Sequence, residues 1–399
     1  MKNSKYWLLI IIFAASCNKI KPISSTNYTE LDYGKNYKEE NTLVNNEFLA
    51  GMCYMQYEWQ DKLNDDYVLK AMKNMGVKSL RTWMHFSYFL ENPNTIKQDN
   101  VKKMHDYLTK AIDMGFQIIG MNHYSYHEQG YFSIGKEKRM DFENEVSKYN
   151  IWLDNYELSW YTLANEFSEI TYWEIDNEIN NPDFMYIDGQ KNNVLNQKEM
   201  AHIALDMLYK GSNGIHKANP NANTIMGGLV DSCGLGKGSS YNGIYTGTNK
   251  EFLEILYDYI ASGEHGSIYP DDFFQIAAWH PYYYQNSADE YFVLENNAIY
   301  EIIKKHEGKD KKVFLTEFGW SDNNVSNKGQ NIKDLFTTLK NQMPYVESLH
   351  YFLLFDKTEN LDVGLYNYPL GNNCYPKDSA YAYQQVNGGK GKLDFTFKK

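Results

Sequence analysis

Thr171-Tyr-Trp-Glu-Ile-Asp-Asn-Glu-Ile-Asn180 opens as a strand and closes as a polar cluster. Thr171, Tyr172, Trp173 and Ile175 are β-branched or aromatic, the types that suit a pleated, half-buried surface. Asp176, Asn177, Glu178 and Asn180 follow, and Pro182 ends the stretch. A buried strand that delivers a carboxylate and an amide at its C-terminal end fits a parallel α/β barrel, where strand ends converge on one face. Val313-Phe-Leu-Thr-Glu-Phe-Gly-Trp320 answers it with another short apolar run and another carboxylate, Glu317, at its C-terminal end.

From Glu47 onward, short apolar runs alternate with longer amphipathic ones, which argues for βα units and a parallel sheet. Strands are predicted at 48–54, 77–83, 116–122, 170–176, 224–229, 273–279, 312–316 and 348–355. Helices are predicted over 65–75, 99–114, 141–167, 197–217, 251–261, 288–306, 332–343 and, more briefly, 378–385. Gly76 and Gly115 stop the first two helices, and Asn219-Pro220 closes the fourth. The Gly- and Ser-rich loop 231–248 is expected to be mobile and near the mouth, and 393–397 is a candidate extra strand. Eight strand–helix pairs predict an α/β fold, a single-domain (β/α)8 TIM barrel over residues 43–399.

A chain of 399 residues is long enough for a large core, and 43% hydrophobic residues exclude a disordered chain. The net charge of -12 argues against a nucleic-acid partner, which needs a basic face. The 35 Tyr and 8 Trp offer flat faces with a polar handle, suited to core filling and to stacking on sugar rings. At the N-terminus, Lys2 and Lys5 precede an apolar run over 6–15 that is too short to span a bilayer. Residues 1–16 therefore read as an export signal and 17–42 as a polar tether. Ala14-Ala-Ser-Cys17 resembles a bacterial lipobox, with Ala14 where Leu is more usual; the resemblance implies cleavage before Cys17, lipid attachment to it and a membrane-anchored, exported protein. Cys53, Cys233 and Cys374 match no metal motif and leave a disulfide between two of them open.

Arg81, Asn122, His123, Asn177, Glu178, His280, Tyr282, Glu317 and Asp356 all fall at or just past the ends of expected strands, so a barrel makes them neighbours. Two carboxylates across one mouth suit glycosidic-bond hydrolysis. One carboxyl protonates the leaving oxygen; the other attacks the anomeric carbon or activates water. Arg81 and Tyr282 are placed to keep one Glu ionised. This chemistry asks for no cofactor. His85, His123 and His127 belong to two loops without ligand spacing, which argues against a metal site.

Trp173-Glu-Ile-Asp-Asn177-Glu178 and Leu315-Thr-Glu317-Phe-Gly-Trp320 resemble the strand-four and strand-seven signatures of clan A glycoside hydrolases, most closely family 39-like and family 5-like members. The resemblance implies Glu178 as acid/base, Asn177 on the sugar 2-hydroxyl, Glu317 as nucleophile, Arg81 beside that nucleophile, and His280 with Tyr282 as the strand-six His-x-Tyr. It also implies retention of anomeric configuration. Asp176 and Ile179 depart from the common Trp-Asn-Glu-Pro form, and strand eight, Tyr351-Phe352-Leu-Leu-Phe355-Asp356, lacks a platform Trp. Asn122 and His123 read as sugar contacts or as mouth residues satisfied structurally, and Trp320 as a sugar platform or a cap on the barrel. The expected function is a retaining hydrolase of β-linked oligo- or polysaccharides. The alternatives are a non-catalytic surface glycan-binding protein on the same barrel and a transglycosylase using the same site.

Overall fold

The computed structural model describes residues 48–55, 63–123, 148–185, 195–231, 234–241, 244–283, 289–356, 362–368 and 374–394. The export signal, the tether with Cys17, His127, Cys233 and most of the 393–397 run lie outside the described residues.

Eight parallel strands are found: β1 Leu49–Cys53, β2 Ser79–Trp83, β3 Gln117–Met121, β4 Tyr172–Ile175, β5 Asn223–Met226, β6 Ala277–His280, β7 Val313–Phe318 and β8 Val346–Tyr351. Each pairs with its sequence neighbour, and β1 pairs with β8. The ring closes between β5 and β6, where Ile225 bridges Ile276 and the Leu229–Val230 continuation of β5 pairs with Trp279 and His280. This is the expected single-domain (β/α)8 barrel.

Parallel neighbours require long crossovers. Helices supply them: α1 Asp65–Asn74, α2 Gln98–Asp113, α3 Lys148–Glu166, α4 Gln197–Ala218, α5 Asn249–Ser262, α6 Glu290–Glu307, α7 Lys328–Gln342 and α8 Asp378–Val386. Their starts are chemically marked. Asn196 and Thr248 form capping boxes with Glu199 and Glu251, and Asp289 accepts from the Phe292 amide. No helix among the described residues is long and apolar enough to cross a membrane.

Side-chain alternation along β4 positions the site. Trp173 and Ile175 face the helices. Trp173 meets Trp160 edge-on at 5.9 Å, and a Cβ on Gly211 of α4 would fall 2.7 Å from Ile175. Tyr172 and Glu174 therefore face into the barrel. Tyr172 stacks on Phe314 above a floor of Ile119, Ile225, Ile276 and Ala278. Over that floor lies a buried polar layer containing Arg81, Glu174, His280, Thr316 and His350. Gly51 admits the His350 ring, since a Cβ there would sit 2.4 Å from it. Burial, with Arg81 nearby, pushes His350 down to about 3, so the ring is neutral filling.

Local corrections have local causes. β6 starts at Ala277 rather than 273, because Pro270–Asp272 form a 3-10 turn that Phe273 closes. The 231–248 connection is not simply an open loop; Ser239–Tyr241 and Ile244–Gly247 pair as a hairpin within it. A short helix, Phe86–Phe89, and a hairpin of Leu90–Asn92 with Thr95–Ile96 follow β2.

Candidate active site

The chain leaves β4 through two residues in the left-handed region, Asp176 at φ 64° and Glu178 at φ 48°. Non-glycine residues enter that region at a cost, and such strain concentrates at functional sites. Neighbours hold the turn in place. Asn180 exchanges hydrogen bonds with the backbone of Val230 at 2.8 and 2.9 Å, tying it to the continuation of β5. Asn181 donates from its side chain to Glu178 Oε2 at 2.7 Å and from its backbone to the Glu178 carbonyl.

Arg81 organises the centre from β2. Its fully buried guanidinium donates to Glu317 Oε1 at 2.7 Å, to Asn177 Oδ1 at 2.7 Å, and to both oxygens of Glu174 at 2.5 and 3.1 Å. Burial lowers the pKa of this group, but Glu174 and Glu317 outweigh burial and raise it. The Trp83 ring covers the guanidinium carbon at 5.1 Å.

Glu317, at the end of β7, also accepts from the Tyr282 hydroxyl at 2.9 Å. Burial raises the Glu317 pKa. The positive field of His280 when that ring is charged, the Arg81 guanidinium and the Tyr282 hydrogen bond all lower it, and the balance falls below the ordinary glutamate range. Tyr282 is itself pushed up by burial and by the nearby Glu317 and Glu178 charges, so it remains a neutral donor. Beneath them, burial keeps Cys53 a thiol, and its Sγ reaches the Thr316 carbonyl at 3.4 Å.

His280, at the end of β6, links the two carboxylates. Its Nδ1 lies 3.0 Å from Glu178 Oε1 and 3.8 Å from Glu317 Oε2. The ligand-capable atoms of Glu178, His280 and Glu317 lie within 4.8 Å of one another, the only such trio among the described residues. An oxygen of Glu178 and one of Glu317 therefore lie no more than 4.8 Å apart, close enough for the two carboxyls to act on one glycosidic bond. The Arg81 cation on Glu317 would repel a dication, so we read the trio as carboxylate-pair chemistry rather than as a metal centre.

The structure thus gathers Arg81, Asn177, Glu178, His280, Tyr282 and Glu317. Three residues that the sequence left with two readings, Asn122, His123 and Trp320, make contacts of the structural kind. The Asn122 Oδ1 accepts from the Phe86 amide at 3.0 Å, so that side chain caps the short helix after β2. His123 is buried, with its ring edge-on to Phe184 at 4.7 Å and its carbonyl 3.2 Å from His85 Nδ1. Trp320 is 2% exposed and donates its indole N–H to the Tyr283 carbonyl, so it wedges the β6 and β7 ends together and offers no open stacking face. Asp356 pairs with Lys377 and accepts from the Gly364 amide. Cys53 and Cys374 are free, buried thiols.

Sequence reading missed Glu174, Thr316, Asn181 and Gly228. Glu174 had a visible signal: with Trp173 and Ile175 anchored outward, period-two alternation points the residue between them into the barrel.

A closed parallel barrel with two close carboxylates at its C-terminal face defines the class, a retaining clan A glycoside hydrolase. The family model described as "Cellulase (glycosyl hydrolase family 5)" matches residues 38–347, and the chain belongs to that family. Solved structures share the fold at low identity. A broad-specificity GH5-4 endoglucanase from Clostridium longisporum aligns at TM-score 0.58 and 14% identity, over 87% of this chain and 97% of that one. A Thermotoga maritima beta-glucosidase aligns at TM-score 0.59 and 11% identity, over 86% and 98%. A family 39 glycoside hydrolase from the gut symbiont Bacteroides cellulosilyticus aligns at TM-score 0.56 and 14% identity, over 86% and 64%. No curated protein matches by sequence.

Proposed function

We propose that the chain hydrolyses β-glycosidic bonds in an oligo- or polysaccharide by double displacement, with Glu317 as nucleophile and Glu178 as acid/base. In the first step a Glu317 oxygen attacks the anomeric carbon. The bond from that carbon to the leaving oxygen breaks, and the Glu178 proton passes to the leaving oxygen. In the second step Glu178 takes a proton from water as the water oxygen attacks the anomeric carbon and the bond to Glu317 breaks. Asn177, its Oδ1 occupied by Arg81, has its amide N–H groups left to donate to the sugar 2-hydroxyl.

The observation that carries this reading is the unequal setting of two close carboxylates. Glu317 accepts from a guanidinium and a phenol, whereas Glu178 faces an imidazole nitrogen and an amide. Different surroundings separate the acid from the nucleophile. Among the structural neighbours, one family 5 enzyme from Prevotella bryantii is described in complex with a xyloglucan tetradecasaccharide, and a family 5 neighbour, ZgEngAGH5_4, in complex with cellotriose. Glucose-based β-glycans are therefore the first substrates to try.

Glu178→Ala tests the acid role. Activated dinitrophenyl glycosides, whose leaving group needs no proton, should keep most of their glycosylation rate. Unactivated β-glycans should lose about 10²- to 10⁴-fold. Equal losses on both would contradict the assignment. We further propose that Cys17 carries lipid after cleavage of residues 1–16, on the lipobox-like Ala14-Ala-Ser-Cys17. Cys17→Ala should move the protein out of the membrane fraction of a bacterial host, and unchanged sedimentation with membranes would refute the anchor.

A further inference from the structure

Glu174 is a buried carboxylate that the proposed chemistry does not use. Four donors converge on it: Arg81 Nε and Nη2, the Gly228 amide at 3.1 Å, and the Thr316 hydroxyl at 2.9 Å. A carboxylate accepting four donors, two of them from a guanidinium, is ionised and acts only as an acceptor. The Thr316 hydroxyl has one proton, and Glu174 takes it. The 3.0 Å contact between Thr316 Oγ1 and His280 Nε2 can then be made only with Nε2–H donating. In a neutral ring that assignment leaves Nδ1 as a lone pair, 3.0 Å from Glu178 Oε1.

We propose that Glu174 is a positioning residue for both halves of the site. Through Arg81 it holds the partner of Glu317, and through Thr316 it sets the His280 tautomer that faces Glu178. The proposal rests on the roles given to Glu178 and Glu317 above.

Each arm has a consequence. Arg81 alone would form a closed ion pair with Glu317 and quench it as a nucleophile. Glu174 neutralises the cation from below, so the Arg81–Glu174–Glu317 group keeps one net negative charge, and that charge belongs to the attacking side chain. On the other arm, the Nδ1 lone pair can accept only from a Glu178 that carries a proton on Oε1. The geometry has no slack: a Cβ on Gly228 would lie 2.2 Å from His280 Nε2 and 2.7 Å from Thr316 Oγ1.

Two variants test this in the full-length protein. Glu174→Gln keeps the size of the side chain, removes the charge and turns one of its two acceptor oxygens into a donor. The groups facing Glu317 are then Arg81 from β2, Cys53 from β1, Glu178 from the β4 turn, and His280 and Tyr282 from the β6 end. With Arg81 uncompensated, kcat on a dinitrophenyl β-glycoside should fall by about 10- to 100-fold, because a bare cation beside a carboxylate lowers its pKa by about 1–3 units and its nucleophilicity with it. KM should change little, and the acidic limb of the kcat/KM profile should move to lower pH. A merely structural Glu174 would lower Tm and leave that limb in place. Thr316→Val removes the hydroxyl alone. Long-range proton–nitrogen spectra of histidine-labelled protein should show wild-type His280 as the Nε2–H tautomer and the Val variant shifted towards Nδ1–H. This readout needs no substrate, so it stands whether or not the proposed catalytic roles do. Nδ1–H in the wild-type protein, or wild-type kcat with an unmoved acidic limb in Glu174→Gln, would overturn the proposal. If Glu178→Ala behaves as expected while either of those results is found, the relay alone has failed.

Discussion

Glu317 has to stay ionised where burial opposes ionisation. His280 when charged, Arg81 and Tyr282 supply the opposing interactions, and the Tyr282 hydrogen bond can be removed singly. Tyr282→Phe deletes one hydrogen bond to the carboxylate. A hydrogen bond to a charged group contributes about 1.5–3 kcal/mol, and one pKa unit corresponds to 1.36 kcal/mol. Losing that donor raises the Glu317 pKa, so the acidic limb of kcat/KM should move up by about one to two pH units. The sign is opposite to that expected for Glu174→Gln, so the two variants separate a donor from a charge compensator. A Tyr282→Phe profile superimposable on the wild type would show that the phenol does not tune this carboxylate. Not all of this was legible at the residue scale. The strand-end polar residues stood out in the sequence because a run of apolar residues led up to them. Glu174 did not, because it lies inside such a run, and only its alternation with Trp173 and Ile175 shows that it faces inward. Trp320 stays open between two readings for a related reason: residue type says that an indole can stack on sugar, but not that the Tyr283 carbonyl accepts its N–H.

At the scale of elements, each strand contributes through the point where it ends. The β4 end bends through the left-handed Asp176 and Glu178, which presents Asn177 to Arg81 and Glu178 to His280. β5 contributes a backbone amide rather than a side chain. It pauses after Met226, and Gly228 passes close enough for its N–H to reach Glu174. Only a residue without Cβ fits there, so Gly228→Ala should destabilise the fold by about 1–3 kcal/mol, the range for overpacking. It should also cost activity well beyond what partial unfolding explains, because the intruding methyl displaces His280 and Thr316 together. Differential scanning calorimetry with kcat measured well below Tm separates the two effects. An unchanged Tm with full activity would mean that the β5 backbone yields without disturbing the site. The breaks in β5 and the late start of β6 were not readable from periodicity, because both depend on contacts across the closure seam, Ile225 to Ile276 and Val230 to His280.

The whole molecule was the most legible level. Eight apolar runs alternating with amphipathic helices admit few arrangements other than a parallel barrel, and a barrel brings its strand ends together whatever their separation in sequence. That is why the sequence alone pairs Glu178 with Glu317. Their surroundings are not legible there, since the buried layer of Arg81, Glu174, His280 and Thr316 draws on four strands and has no local signature. The central claim is that the barrel turns Glu317 into a nucleophile that carries the sugar. Incubation with dinitrophenyl 2-deoxy-2-fluoro-β-glucoside or -cellobioside, followed by proteolysis and mass spectrometry, tests it directly. The account predicts one fluoroglycosyl unit on the peptide containing Glu317. An adduct on Glu178 or any other residue, or no adduct in enzyme that turns over the matching unfluorinated glycoside, would contradict it.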